Sequence, residues 1–408
     1  MVEQAAVRFL GLAPFLRLSI GSVDLRQIAV ALVAVAEANQ NNPYIWMNLS
    51  TAFFATEQRS LALVMQAEGL KLQRTYRLPA TRQPAKFTLL MLMAPGDLAE
   101  NTPLDCLLED CDVDLVLYFT TRQNPLPPDL PAHDAVMVAF SDTDDNRSTL
   151  KALEGLLCNW PKPVINAPQC IPNTERSKAS ALLQDIRGLR MPPTREVTRD
   201  ILQSIASGSS SICQVFDACR FPIILRPVGS HAGRDLERIG DSAGMVSYLA
   251  RVEGADFYIS NFIDYRSEDG KYRKYRIAII AGEPFACHMA ISSQWMIHYV
   301  NAGMYGSSAK RAEEAAFMAN FAEFVDRHGD ALIEIYRRTN LEYLCIDCAE
   351  ANGDLLIFEI DHAMVVHAMD SVDLFPHKQE HMFKVQRAVE DLFYATKSIE
   401  SSPMKPGM

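Results

Sequence analysis

The chain has 408 residues, 49% of them hydrophobic and 22% charged, which suits about two or three globular domains and excludes the disordered and fibrous classes. With 39 Lys and Arg against 50 Asp and Glu, the formal net charge of -11 repels phosphate backbones and anionic lipid, so neither nucleic acid nor a membrane is expected as a partner. The longest apolar run, residues 28–36, is well short of the roughly 20 residues that cross a bilayer. No export signal is legible, and a cytoplasmic address is expected. Nine cysteines without framework spacing read as reduced thiols. Cys345 and Cys348 form the one C-x-x-C, but on a strand residues three apart face opposite ways and share neither a metal nor a disulfide.

In chain order, residues 1–84 read as a helical segment, with Leu25, Ile28, Ala29, Leu32 and Ala36 at helical spacing. A second helical unit opens at Asn42-Pro43 and carries Trp46, Leu49, Phe53 and Ala62. It resembles one tetratricopeptide repeat, with Ser50 at the position where glycine lets the helices approach. A peptide-binding repeat and a plain helical hairpin both fit. Pro79 and Pro84 mark a linker, and residues 85–190 then alternate strands (87–93, 113–119, 135–140, 163–166) with helices (102–110, 146–160), the pattern of a small α/β domain with a parallel sheet. Pro95-Gly96-Asp97, Ser141-Asp142 and Asn166-Ala167-Pro168 follow its strands, where open α/β sheets take ligands. Residues 191–396 change to longer strands with hairpin turns (221–227, 257–263, 272–281, 285–292, 343–349, 354–361) and helices over 242–252, 309–327 and 377–394. Residues 397–408 read as a disordered tail.

Three stretches carry chemistry. Glu359 and Asp361, two apart on a strand, share a face and offer an all-oxygen pair suited to Mg2+. Asp347 joins them only if the hairpin register allows it. A two-residue Asn352-Gly353 turn sets it opposite Phe358 and faces it away, whereas a three-residue loop or a bulge sets it opposite Glu359. Solvated strand carboxylates are the alternative, and the apolar run around them makes unpaired charge costly.

The second stretch is a buried strand that ends in Arg226 and enters a loop with Gly229, Ser230, His231 and Gly233, small residues that let backbone N–H groups approach phosphates. It matches neither the P-loop nor the dinucleotide fingerprint. The third places Tyr272, Lys274 and Arg276 on one strand face, a cation cluster able to stabilise charge on a transferred phosphoryl group or, alternatively, to protect an edge strand. His288 on the following strand and Trp295, His298 and Asn301 in the next loop are substrate-binding candidates.

In their order these elements resemble the ATP-grasp superfamily over about residues 86–396, closest to the branch with glutathione synthetase, D-alanine:D-alanine ligase and ribosomal-protein glutamate ligase. The resemblance implies a mixed α/β and α+β chain: helical segment, pre-ATP-grasp domain, then an ATP-grasp domain whose two antiparallel sheets hold ATP. It implies that Arg226 and the loop of Gly229, Ser230, His231 and Gly233 meet the phosphates. Ser260, Asn261, Phe262 and Ile263 would meet the adenine, Arg276 with Lys274 would serve the transferring phosphoryl group, and Asp347, Glu359 and Asp361 would hold Mg2+. Three residues depart from the family pattern: Arg226 stands where lysine is frequent, Asn261 where an acid is common, and Asp361 where asparagine is common.

The expected activity is an ATP- and Mg2+-dependent carboxylate-amine ligase working through an acyl phosphate, with His288 or His298 as the base for the amine. Its partners would be a small carboxylate and amine, or a peptide or protein, in a homodimer. The alternatives are a kinase with a hydroxyl acceptor, and an interaction protein with repeat-like helices and a vestigial nucleotide site.

Overall fold

The computed structural model describes residues 1–217, 219–230 and 233–400. In the first 72 residues the helices Pro43–Ala55 and Arg59–Leu72 form an antiparallel hairpin packed on Leu25–Ala38. Ser50 stands where a glycine was expected to matter, and it is accommodated because its hydroxyl donates to the Ala62 carbonyl at 2.8 Å across the helix contact. Gln66 fastens the hairpin to the next domain by a reciprocal pair of hydrogen bonds with Gly96, so the Pro95-Gly96-Asp97 loop is a docking point.

The first sheet has strands β1 (Thr75–Leu78), β2 (Phe87–Met93), β3 (Val113–Phe119), β4 (Ala135–Val138) and β5 (Val164–Ile165), in the order β1-β3-β2-β4-β5. All neighbours are parallel except β1, which runs against β3. Residues 75–78 therefore belong to this sheet and not to the helical segment. Both faces are covered, which is why β2 and β3 read as continuous apolar runs. Helix Arg147–Leu157 lies on one face through Leu150, Leu153 and Leu157. Helix Pro376–Glu400 lies on the other, stacking Phe393 on Phe87 at 5.5 Å. That helix runs through Lys397, which pairs with Asp134 at 3.0 Å, so the tail expected from 397 onward is helical as far as Glu400; residues 401–408 lie outside those described.

The two-residue β6 (Leu189–Arg190) leads to a small sheet of β7 (Thr194–Thr198), β8 (Ile223–Pro227), β9 (Glu237–Ile239) and β10 (Asp256–Asn261), ordered β7-β10-β8-β9 and antiparallel. One face buries Ile223, Leu225, Phe257 and Ile259 against helices Arg199–Ala206 and Ser242–Arg251. The large sheet contains β11 (Tyr272–Ile280), β12 (Glu283–Ser292), β13 (Tyr343–Ala351) and β14 (Asp354–Asp361), in the order β12-β11-β13-β14-β6. Its back face packs Tyr275, Ile277, Ile346 and Ile360 on helices Ser308–Ala319 and Phe321–Thr339. One helix was expected over 309–327; Asn320 leaves helical backbone angles and divides it in two. Asn166, in a loop expected to bind ligand, is fully buried and exchanges both amide hydrogen bonds with the Tyr343 backbone, docking the first sheet on the large one.

The chain is thus a mixed α/β structure with an amino-terminal helical segment, a mainly parallel sheet domain and two antiparallel sheets, the larger carrying the two-residue β6 parallel to β14 at its edge. All nine cysteines are free, and Cys345 and Cys348 fall in different core clusters on opposite sides of β13. No helix among the described residues is long and apolar enough to cross a membrane.

Candidate functional site

The small sheet turns its polar face, with Ile224, Arg226, Tyr258 and Ser260, toward the large sheet, which presents Lys274, Asp347 and Glu359 across a cleft. The hairpin between β13 and β14 decides this arrangement. Asn352 and Gly353 both take positive φ, 55° and 87°, and close a two-residue turn with Ala351 opposite Asp354. That register alone would face Asp347 away. A bulge then shifts the ladder between Asp347 and Cys348, so that Asp347 pairs with Glu359 and Cys345 with Asp361. Across β11, Asp347 is also the partner of Arg276.

Asp347 is 4% exposed and engaged by two cations: Lys274 Nζ donates at 2.9 Å, and Arg276 donates Nε to one carboxylate oxygen at 2.8 Å and a terminal nitrogen to the other at 3.1 Å. Burial pushes this carboxyl upward, but Arg276 and Lys274 outweigh it and hold it well below the usual carboxylate range. Arg276 also donates to the Val365 carbonyl at 3.0 Å, which fixes the guanidinium plane. Glu359 is paired with Arg176 and is likewise lowered, burial opposing and Arg176 and Arg226 prevailing. Asp361 accepts from the Ala363 N–H at 2.9 Å. Among the described residues no three acidic, histidine or cysteine side chains are grouped closely enough to hold a metal. The expected trio shares one sheet face, but Asp347 is satisfied by cations. The all-oxygen chemistry still suits a hard ion, and Glu359 and Asp361 are the members not taken up by Lys274 and Arg276.

Arg226 is 6% exposed and donates Nε to Ser230 Oγ at 3.1 Å, with a second bond to the Ser230 carbonyl. Its first contacts are therefore within its own loop, which it ties back to the strand. Burial, with Arg176 close by, brings it down to about 10, still charged at neutral pH. Gly229 and Ser230 line a second cavity beyond Glu359, while Gly233 lines the cleft itself. Gly233 has φ 70°, and a Cβ there would lie 2.4 Å from His298 Nε2, so the loop and the opposite sheet's His298 segment meet over the cleft. His231 lies outside the described residues.

Ser260, Asn261, Phe262 and Ile263 all line the cleft. Phe262 meets Trp295 edge-on at 5.5 Å and carries Arg238 over its ring at 4.5 Å, forming an aromatic wall. The Asn261 side-chain oxygen accepts from the Arg220 N–H at 2.8 Å, which ties the end of β10 to the loop before β8. Of the substrate candidates, Trp295 and His298 line the cleft. His288 does not; it sits behind, beside Tyr299 at 4.7 Å, and burial followed by Arg276 pushes its imidazole well down. His298 is lowered too, by burial and Lys274, so both rings are neutral at pH 7. Asn301 is exposed and accepts from the His298 N–H at 2.9 Å, a turn-forming bond away from the cleft. Its polarity signalled a ligand, but turns use the same residue type.

Sequence reasoning missed Arg176, the first residue of helix Arg176–Leu182, which reaches the cleft from the first domain. Nothing local in the sequence marks it; only the packing of that helix beside β7 and β14 brings it to Glu359. Tyr258, Thr194 and Phe358 on the cleft wall were missed for the same reason.

No protein-family model matches the chain. Among solved structures it is similar to D-alanine–D-alanine ligase from Bacillus anthracis, with 11% identity over 77% of this chain and 99% of that one and a TM-score of 0.47. It is also similar to the ATP-grasp ligase PsnB complexed with precursor peptide PsnA2 and AMPPNP, with 12% identity, 77% and 100% coverage and a TM-score of 0.41. A third is the VanG D-Ala:D-Ser ligase from Enterococcus faecalis, with 8% identity, 75% and 98% coverage and a TM-score of 0.44. At these values all three likenesses are distant.

Proposed function

We propose that the chain is an ATP-grasp enzyme that binds ATP with Mg2+ between its two antiparallel sheets and uses it as a carboxylate-amine ligase. The observation that supports this most is the opposition, across one cleft, of Arg226 and residues 260–263 to a sheet face on which Lys274, Asp347 and Glu359 line the cleft, with Arg276 beside Asp347 on the neighbouring strand. A triphosphate needs several cations in a water-poor setting, and the acidic side chains beside them would hold a divalent ion.

In this reading a substrate carboxylate oxygen attacks the γ-phosphorus of ATP, ADP leaves, and an acyl phosphate forms. An amine nitrogen then attacks the acyl carbon, the C–O bond to phosphate breaks, and the nitrogen gives up a proton as phosphate departs. The acceptor in the first step is already an anion, so no strong base is needed there. Arg276, locked by Asp347 and the Val365 carbonyl, presents fixed positive charge to the transferring group without reorganising, and Lys274 adds to it. Glu359 and Asp361 would hold Mg2+, whose contribution is to neutralise phosphate charge. His298, neutral and on the cleft wall, would take the amine proton. The aromatic wall of Phe262 and Trp295 would flank the base.

Product analysis tests this reading. With ATP, Mg2+ and a panel of carboxylates and amines, the ligase yields ADP, phosphate and an amide in equal amounts, and Glu359→Ala lowers turnover by about 100-fold or more. ADP with a phosphoester and no free phosphate would assign a kinase instead. No ADP with any acceptor, together with unchanged peptide binding in Glu359→Ala, would favour the interaction protein.

A further inference from the structure

Arg176 lines the cleft but takes no part in the ligase steps. It opens helix Arg176–Leu182, and the residue before it fixes that helix start: the Glu175 carboxylate accepts from the Ser177 and Lys178 N–H groups at 2.9 and 3.0 Å and from the Tyr258 hydroxyl of β10. Arg176 reaches the other way, to β14, where it donates to the Phe358 carbonyl at 3.4 Å and to the Glu359 carboxylate. Two successive residues of the first domain therefore tie the small sheet to the large one. The backbone is held at Glu175, so the guanidinium can change partner without moving the helix.

The charges around it do not balance. In a chain of net charge -11, the described residues of the cleft wall carry three cations, Arg176, Arg226 and Lys274, against two carboxylates, Asp347 and Glu359, with Arg276 directly beside Asp347. Asp347 is taken up through both oxygens by Arg276 and Lys274, which leaves Glu359 as the carboxylate that Arg176 meets. Arg226, tied to Ser230, lies near enough for the Arg176 charge to disfavour its own. Guanidiniums gathered in this way repel one another unless anions stand among them, and the surplus points to a polyanion. A divalent ion on Glu359 sharpens the conflict, because one carboxylate oxygen cannot serve a dication and a guanidinium without setting like charges side by side. With Asp347 engaged, an Arg176 displaced from Glu359 finds no other carboxylate on the described cleft wall, and phosphate oxygens are the partner that its planar fork fits.

We propose that Arg176 is a further nucleotide-binding residue, supplied by the first domain, that exchanges Glu359 for phosphate: entry of a nucleoside triphosphate with its divalent ion hands Glu359 to the ion and Arg176 to the phosphate oxygens. The assignment rests on the reading of the cleft as an ATP site, and it adds an order of binding. The ion meets a competitor at Glu359 until phosphate draws Arg176 away, so ion and nucleotide bind as a pair and the ion alone binds weakly. It also makes the position of the first domain felt at the phosphates, because the helix that carries Arg176 packs beside β7 and β14.

Two titrations of the full chain test it, neither of which needs turnover: calorimetry with Mg2+ and a non-hydrolysable ATP analogue, and Mn2+ alone followed by electron paramagnetic resonance. In Arg176→Gln the analogue is expected to bind about 10- to 100-fold more weakly, as loss of a hydrogen bond to a charged group implies, while Mn2+ alone binds several-fold more tightly. Adding Glu359→Gln to Arg176→Gln is expected to abolish the gain in Mn2+ affinity. Effects of opposite sign cannot come from a loosened fold, which weakens both. Arg176→Lys keeps the charge without the fork; it is expected to show the same signs at smaller size and serves if Arg176→Gln does not fold. Mn2+ binding that does not tighten, or a tightening that survives Glu359→Gln, overturns the proposal. If the wild-type chain binds no analogue, the ATP reading falls and the assignment with it. If the wild type binds the analogue and Arg176→Gln binds it equally well, the assignment alone falls.

Discussion

Arg276→Met is expected to reduce turnover by about 100- to 1,000-fold, the usual consequence of removing a fixed charge donor from a developing anion. The same substitution is expected to destabilise the chain by about 3 kcal/mol, at the lower end for breaking a buried ion pair, because Lys274 remains at 2.9 Å to share the Asp347 charge. Arg276→Lys keeps the charge but loses the fork that grips both Asp347 oxygens and Val365, so it should restore much of the stability and little of the rate. The acid limb of the stability profile provides an independent check. A carboxyl held below its unfolded value contributes stability that is present above about pH 3.9 and is lost as pH falls through the folded value. The wild-type contribution from Asp347 is therefore flat from pH 5 to 8 and persists into strong acid. In Arg276→Met it is smaller, and denaturation begins at higher pH. Urea unfolding at pH 3, 5 and 7 measures this. Equal acid sensitivity of the two proteins would show that Asp347 is not held by Arg276.

The second large effect lies behind the cleft. Lys378, 3% exposed, donates to Tyr299 at 2.6 Å and to Asp370 at 2.8 Å, and lies 3.4 Å from Glu314, which is fully buried. Glu314 in turn accepts from the Met289 N–H and from Tyr299, so one ammonium joins β12, the Tyr299–Asn301 turn, helix Ser308–Ala319 and the start of the last helix. Lys378→Met fills the same space and removes the ammonium shared by the buried Glu314 and Asp370, leaving His377 at 3.2 Å from Glu314. It is expected to cost about 3–5 kcal/mol in urea unfolding, with kcat falling because the His298 segment loosens. The triple change Lys378→Met, Glu314→Gln and Asp370→Asn should recover part of the stability, since the unpaired charge is then gone. No recovery would mean that packing around the Lys378 stem, not its charge, supports the region.

Much of this architecture was legible in the sequence because apolar period carries it: β2, β3, β14 and the strand ending in Arg226 fall where their runs of Val, Ile, Leu and Met place them. The acidic hairpin was legible as two alternatives, and the bulge that selects between them leaves no mark in composition. Other features depend on tertiary contact. Arg176 is an ordinary helix-start residue until its helix docks beside β14, and Lys378, Glu314 and Asp370 look like surface charges in polar stretches until three elements close over them. Asn301 and Asn166 were read as ligand residues because turn-forming and ligand-binding asparagines look alike along the chain. His288 was misplaced by one layer: it shares the cleft-side strand face with Arg276, but Tyr299 covers it.

ATP is proposed to bind between the two antiparallel sheets. Thermal melting of the whole protein with ATP, ADP or GTP, each with and without Mg2+, tests it most directly, because a ligand at 100 times its Kd adds about 2.7 kcal/mol of stability. The expected result is an upward shift that needs Mg2+, prefers adenine nucleotides, and is diminished in Arg226→Ala and Glu359→Ala relative to each variant's own baseline. The absence of a shift with every nucleotide, or a shift undiminished in both variants, would contradict it.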